Sequence, residues 1–157
     1  MSNNKYKAII EFDAEPENEG FARMVVAGFL ARLNPTLEEL SDVRTAVSEA
    51  VTNSIIHGYE MKKGKVYVAC EIYDNEFSVT VKDEGVGIKD ISKAMEPLYT
   101  TKPELERSGM GFSFMEAFMD EISVESTPGK GTTVKMSKKI ANEAHLSECE
   151  KKVVGYN

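Results

Sequence analysis

The segment EAVTNSIIHG, residues 49–58, spaces a carboxylate, a carboxamide and an imidazole four residues apart as Glu49, Asn53 and His57. In a helix that repeat stacks all three on nearly one face. The amide oxygen of Asn53 is a hard ligand suited to Mg²⁺, which keeps several waters and shares the phosphates of a nucleotide. Glu49, one turn earlier, stands where a general base would take the proton of a hydroxyl or water attacking a γ-phosphate. On spacing alone the same stripe also describes a solvated helix face. His57, near the helix end, reads as a favourable partner of the helix dipole rather than a catalytic group.

Two further stretches share this chemistry. DEGVG, residues 83–87, sets Asp83 at a strand end beside Gly85 and Gly87, so a planar base could lie against bare backbone while its exocyclic amino group donates to the carboxylate. By itself the same motif is an Asp-initiated turn. SGMG, residues 108–111, places Gly109 and Gly111 at a helix start, where free N–H groups and the positive dipole end suit phosphate oxygens. Lys102 and Arg107, in the preceding loop, would reach polyphosphate from a closing lid. GKGT, residues 129–132, lacks the spacing and the Lys-Ser/Thr ending of a Walker loop and reads as a hairpin turn.

The elements that must position these groups follow from periodicity. Residues 5–12 predict a strand, and the acidic EPENEG after it a loop leading into a helix over 21–33 that Asn34-Pro35 stops. A second helix starts at Thr36 with Glu39 completing a capping box, carries Leu40, Val43, Val47, Val51 and Ile55 on its apolar side, and ends at Gly58. At about 100° per residue, Val47 and Val51 point roughly 160° away from Glu49, so core and polar stripe use opposite sides. Residues 65–74 and 76–83 predict a tight hairpin, ISKAM a short helix, and PLYTTKPELERSG a long loop. GMGFSFMEAFMD predicts a third helix with Phe112, Met115 and Met119 on its core stripe, and EISVEST with GTTVKMSKKI a closing hairpin. Met110, Met115 and Met119 read as adaptable core filling. The order β-α-α-β-β-lid-α-β-β predicts an α+β, two-layer sandwich with a mixed, mostly antiparallel sheet and helices on one face. One domain is expected over 1–140, with a loosely held tail over 141–157.

At 157 residues the chain is long enough to bury a core without disulfides or structural metal. Nineteen Lys and Arg against 26 Asp and Glu give a formal net charge of −7, which argues against broad electrostatic binding of nucleic acid. Cys70 and Cys149 are too few and too far apart for a zinc framework, and they suit a reducing compartment. The absence of an apolar leader or membrane-length run leads to the expectation of a cytoplasmic protein.

The ordered set of ExxxN on a helix, DxGxG after a strand and a glycine pair opening a later helix resembles the ATP-binding domain of gyrase, heat-shock chaperone ATPases, histidine kinases and MutL, a fold of the Bergerat type. Within that superfamily, EAVTNSIIHGY, VKDEGVGI and PLYTTKPELERSGMGFSFME are similar to the bacterial anti-sigma-F family of sporulation serine kinases. The resemblance implies ATP and Mg²⁺ as cofactors, a sigma factor of the sigma-F type as partner, an anti-anti-sigma protein as phosphoacceptor, and a homodimer. It implies Glu49 as the general base, Asn53 as the Mg²⁺ ligand, Asp83 as the adenine partner, and Gly85, Gly87, Gly109, Met110 and Gly111 along the nucleotide. Thr101, Lys102 and Arg107 would meet the phosphates, and Arg23 on the first helix would contact a partner; between apolar neighbours, Arg23 also reads as the solvent face of that helix. SGMGF departs from the glycine-richer box of histidine kinases, so their phosphate contacts are not carried over. The short stretch before the first strand and after the last leads to the expectation of neither a phosphoacceptor-histidine helical pair nor a transducer domain. A stress-response anti-sigma kinase, or a nucleotide-dependent module that sequesters a partner without phosphoryl transfer, stays open as an alternative.

Overall fold

The computed structural model describes residues 5–96 and 111–141. Five strands, β1 (Lys5–Asp13), β2 (Lys65–Tyr73), β3 (Glu76–Asp83), β4 (Glu121–Thr127) and β5 (Gly131–Lys139), form one sheet in the order β1-β2-β3-β5-β4. The helices are α1 (Glu17–Leu30), α2 (Leu37–Asn53), the single turn α3 (Ile91–Ala94) and α4 (Gly111–Phe118).

Alternation decides which side of the sheet the helices cover. Val66, Val68, Cys70 and Ile72 of β2 are buried, and they pair in register with Asp83, Val81, Val79 and Phe77 of β3. Residues between them, such as Tyr67, Glu71, Ser78 and Lys82, lie on the opposite face, as a period of two requires. Val26 and Leu30 of α1, Val43, Val47 and Val51 of α2, and Met115 of α4 join the same buried cluster. The opposition of Val47 and Val51 to the polar stripe of α2 is therefore observed. Cys70 packs in this core, and burial pushes its thiol up to about 12.

Three boundaries differ from the sequence reading. The acidic segment read as a loop supplies the first turn of α1, where Glu17 and Glu19 face the positive end of the helix dipole. α1 also ends earlier, at Leu30, and a 3-10 turn over Ala31–Leu33 leads to Asn34 in the left-handed region at φ 48°. α2 keeps its capping box at Thr36 and Glu39, yet its regular part stops at Asn53 and a π-helical turn, Ser54–Gly58, follows.

All four strand pairings are antiparallel. β3 and β4 nevertheless run in the same direction, each antiparallel to β5, which sits between them. The sheet thus contains a split crossover and, among the described residues, no parallel pair. The local β4–β5 hairpin inserts its second strand where a parallel partner would otherwise lie.

Candidate functional site

α2 contributes to the site at its C-terminal end. Its C-terminal half carries Glu49 and Asn53, both half-buried, toward the first residue of α4. A Cβ placed on Gly111 would lie 3.2 Å from Glu49 Oε2, 3.2 Å from Asn53 Nδ2 and 3.4 Å from Asn53 Oδ1. A side chain at Gly111 would crowd both groups, so they would have to shift by a few tenths of an ångström to admit one. The stripe is therefore not an open, solvated face. It converges on Gly111, the first described residue of α4, where a carboxylate and an amide group share one space.

The π-helical turn then carries the chain toward the end of β3. Widening the helix by one residue interrupts the four-residue repeat after Asn53, so His57 belongs to this turn rather than to a continuous stripe. Ser54 is buried and hydrogen-bonds the Asp83 side chain. Gly58 lies against the same carboxylate, since a Cβ there would fall 2.8 Å from Asp83 Cγ.

Asp83 is 4 % exposed, and burial pushes its carboxyl above the ordinary value of 3.8. Hydrogen bonds from the Gly85 and Thr132 N–H groups and from Ser54 oppose that rise, the Gly85 bond to Oδ1 measuring 3.0 Å. The result is a buried acceptor fixed from three directions, suited to a ligand amino group.

The following turn is packed backbone to backbone. A Cβ on Gly85 would lie 2.0 Å from the Gly58 carbonyl oxygen, which accepts a 2.9 Å bond from the Val86 N–H. Gly87 adopts φ +75°, a region that side chains disfavour. From the opposite side, the Gly129 N–H donates to the Val86 carbonyl at 2.7 Å and the Ile88 N–H to Ser126 Oγ at 2.7 Å.

Of the residues singled out from sequence, Glu49, Asn53 and Gly111 meet in one place and Asp83, Gly85 and Gly87 in another, joined by the π turn that continues from Asn53. Thr101, Lys102, Arg107, Gly109 and Met110 lie outside the described residues, as does the tail beyond Ala141. Arg23 sits elsewhere, in a polar groove between α1 and α2 lined with Ser41, Arg44, Thr45 and Ser48. Its Nε is 3.0 Å from Glu19 Oε1, and Ser48 donates to the same oxygen. Sequence reasoning missed Ser54, Gly58, Tyr59 and Thr132. Gly58 was legible only as a helix end, and the contacts of the other three arise across strands that local pattern does not join.

Among the described residues no group of three or more His, Cys, Asp or Glu could hold a metal. Asn53 fits a different arrangement, one protein oxygen on an ion held mainly by water and phosphate. No helix among the described residues is long and apolar enough to cross a membrane.

The histidine kinase-like ATPase domain family matches residues 12–138. An anti-sigma F factor of Clostridium acetobutylicum is 59% identical over 141 residues, covering 90% of this chain and 97% of its own. The anti-sigma F factor of Bacillus subtilis is 52% identical over 138 residues, covering 87% of this chain and 94% of its own. Among solved structures, the RsbU and RsbW domains of a Mycobacterium tuberculosis protein superpose with a TM-score of 0.63 at 22% identity, over 86% of this chain and 32% of that one. A blue-light activated histidine kinase of Erythrobacter litoralis gives 0.54 at 18% identity, over 83% of this chain and 43% of that one. At those identities the two structures speak to the fold alone.

Proposed function

This chain belongs to the histidine kinase-like ATPase family and, within it, to the anti-sigma F factors, and from that premise we propose that it binds and inhibits a sporulation sigma factor of the sigma-F type and uses Mg-ATP to phosphorylate a serine of its anti-anti-sigma antagonist. The observation that carries the kinase half is the convergence of Glu49 and Asn53 on Gly111, at the C-terminal end of α2, from which the π turn leads to the Asp83 turn. One helix thereby relates a base-binding acceptor to a proton acceptor.

In this reading the adenine amino group donates to Asp83 while its ring lies over the backbone at Gly85 and Gly87. Asn53 would hold Mg²⁺, which when bound neutralises phosphate charge. The N–H groups at the α4 start receive phosphate oxygens. By sequence position Thr101, Lys102, Arg107, Gly109 and Met110 complete the phosphate end. Glu49 accepts the proton of the partner's serine hydroxyl as its oxygen bonds to the γ-phosphorus, the bond to the β–γ bridging oxygen breaks, and ADP leaves. The protein is further proposed to act in the cytoplasm as a homodimer, with Arg23 in the α1–α2 groove contacting a partner.

The test is transfer of labelled γ-phosphate from Mg-ATP to the antagonist by native protein and by Glu49→Gln. Removing a general base should lower transfer by about 10²- to 10⁴-fold while ATP affinity is retained. Equal rates would remove Glu49 from its role. Absence of transfer from native protein that binds both ATP and sigma factor would leave a sequestering module.

A further inference from the structure

Tyr59 follows the π turn, and its ring lies flat against the backbone of the β2 approach, where a Cβ on Gly64 would fall 2.4 Å from Cδ1. Its hydroxyl accepts a 2.8 Å hydrogen bond from the Glu84 N–H and donates one of 2.5 Å to the Lys65 carbonyl. Glu84 lies between Asp83 and Gly85, so this oxygen ties the middle of the base-binding turn to the first residue of β2. Burial, and then the charge of Asp83 among smaller effects, hold the phenol above its ordinary value, which keeps the donated proton in place.

Resting on the nucleotide-site reading above, we propose that Tyr59 is a positioning residue that tunes both the affinity and the base preference of the site by fixing Glu84, and with it the adjoining Gly85 N–H that aims the Asp83 carboxylate. Asp83 discriminates because a carboxylate accepts from an adenine amino group and repels the carbonyl oxygen that guanine presents at the same position. That discrimination requires an acceptor in one place. Asp83 itself is held by its pairing with Val66 and by bonds from Gly85, Thr132 and Ser54; beyond it, the bonds from Val86 to Gly58, from Gly129 to Val86 and from Ile88 to Ser126 lie on the Gly87 side. Of the links to neighbouring segments described for the turn's backbone, only the Tyr59 hydroxyl holds the residue next to Asp83. Both of its partners are backbone groups near solvent, so water can satisfy them in Tyr59→Phe and the fold persists. Water does not hold the Glu84 N–H in one place just beyond the last β2–β3 pair, Val66 with Asp83.

The experiment is titration of native protein, Tyr59→Phe and the control Tyr67→Phe with ATP and with GTP in the presence of Mg²⁺, alongside urea unfolding and phosphoryl transfer. For Tyr59→Phe the ATP dissociation constant should rise roughly three- to tenfold, the scale of one lost hydrogen bond. The preference for ATP over GTP should fall in parallel, with kcat at saturating ATP and the urea midpoint close to native. Tyr67→Phe should change none of these. An unchanged preference, or equal losses for both nucleotides accompanied by a lowered urea midpoint, would overturn the assignment. Native protein that bound neither nucleotide would instead remove the reading on which it rests.

Discussion

Asp83 answers two demands that conflict. Binding a base requires a desolvated acceptor, and desolvation raises the cost of its charge. A carboxyl that titrates higher in the folded protein than in the unfolded chain imposes no cost below its unfolded value, and the full cost above its folded value. Asp83→Asn should therefore compare most favourably with native protein at neutral pH, and lose ground as pH falls through the folded value toward 3.8. Urea unfolding between neutral and acid pH checks this, and a stability difference independent of pH would contradict it. Gly85 poses a simpler problem of space. Because its Cβ would fall 2.0 Å from the Gly58 carbonyl oxygen, Gly85→Ala must push the turn away from the π turn that follows α2. We expect a stability loss of about 1–3 kcal/mol together with loss of nucleotide binding, measured by urea midpoint and titration on the same sample.

At the scale of elements, α2 does most of the positioning. Its start is set by the reciprocal bonds of Thr36 and Glu39, at 2.9 Å and 3.1 Å. Thr36→Ala should cost about 1 kcal/mol in chemical unfolding. The same box was legible in sequence, as were both hairpins, the end of β3 at Asp83 and the Phe112, Met115, Met119 stripe, because each depends on residues within one turn or one strand. Phe112 packs against the core and the two methionines are buried within it. The π turn was not legible. Its wide hydrogen bond from the Tyr59 N–H to the Ser54 carbonyl leaves no residue signature and is stabilised by contacts to Asp83 and Val86 across the sheet. The inclusion of EPENEG in α1 was missed for the opposite reason. Acidic residues look like a loop until the dipole they face is considered. Glu49 and Asn53 were visible as a stripe, whereas their meeting with Gly111 needed the packing of α4 on α2.

For the whole molecule, the split crossover leaves β1 and β4 as the two edges. Ile9 on β1 is 63% exposed, and Met24 and Phe21 on the adjoining α1 are 74% and 49% exposed. An edge with no strand partner among the described residues, flanked on both sides by apolar groups, is the surface on which the proposed homodimer would form. Ile9→Lys combined with Met24→Glu should shift the protein toward monomer in sedimentation analysis, with the nucleotide site unaffected. The polar groove at Arg23 should behave differently. Arg23→Ala is expected to weaken partner binding by at least about tenfold, as a buried interface arginine does, without altering ATP affinity.

The central claim, that α2 and the turn after β3 build an adenine nucleotide site, is tested most directly by calorimetric titration of Mg-ATP into native protein, Asp83→Asn and Glu49→Gln. Native protein and Glu49→Gln should bind one ATP per chain with similar affinity, and Asp83→Asn should bind at least about tenfold more weakly, the scale of a lost hydrogen bond to a charged group. Native affinity in Asp83→Asn would contradict the account.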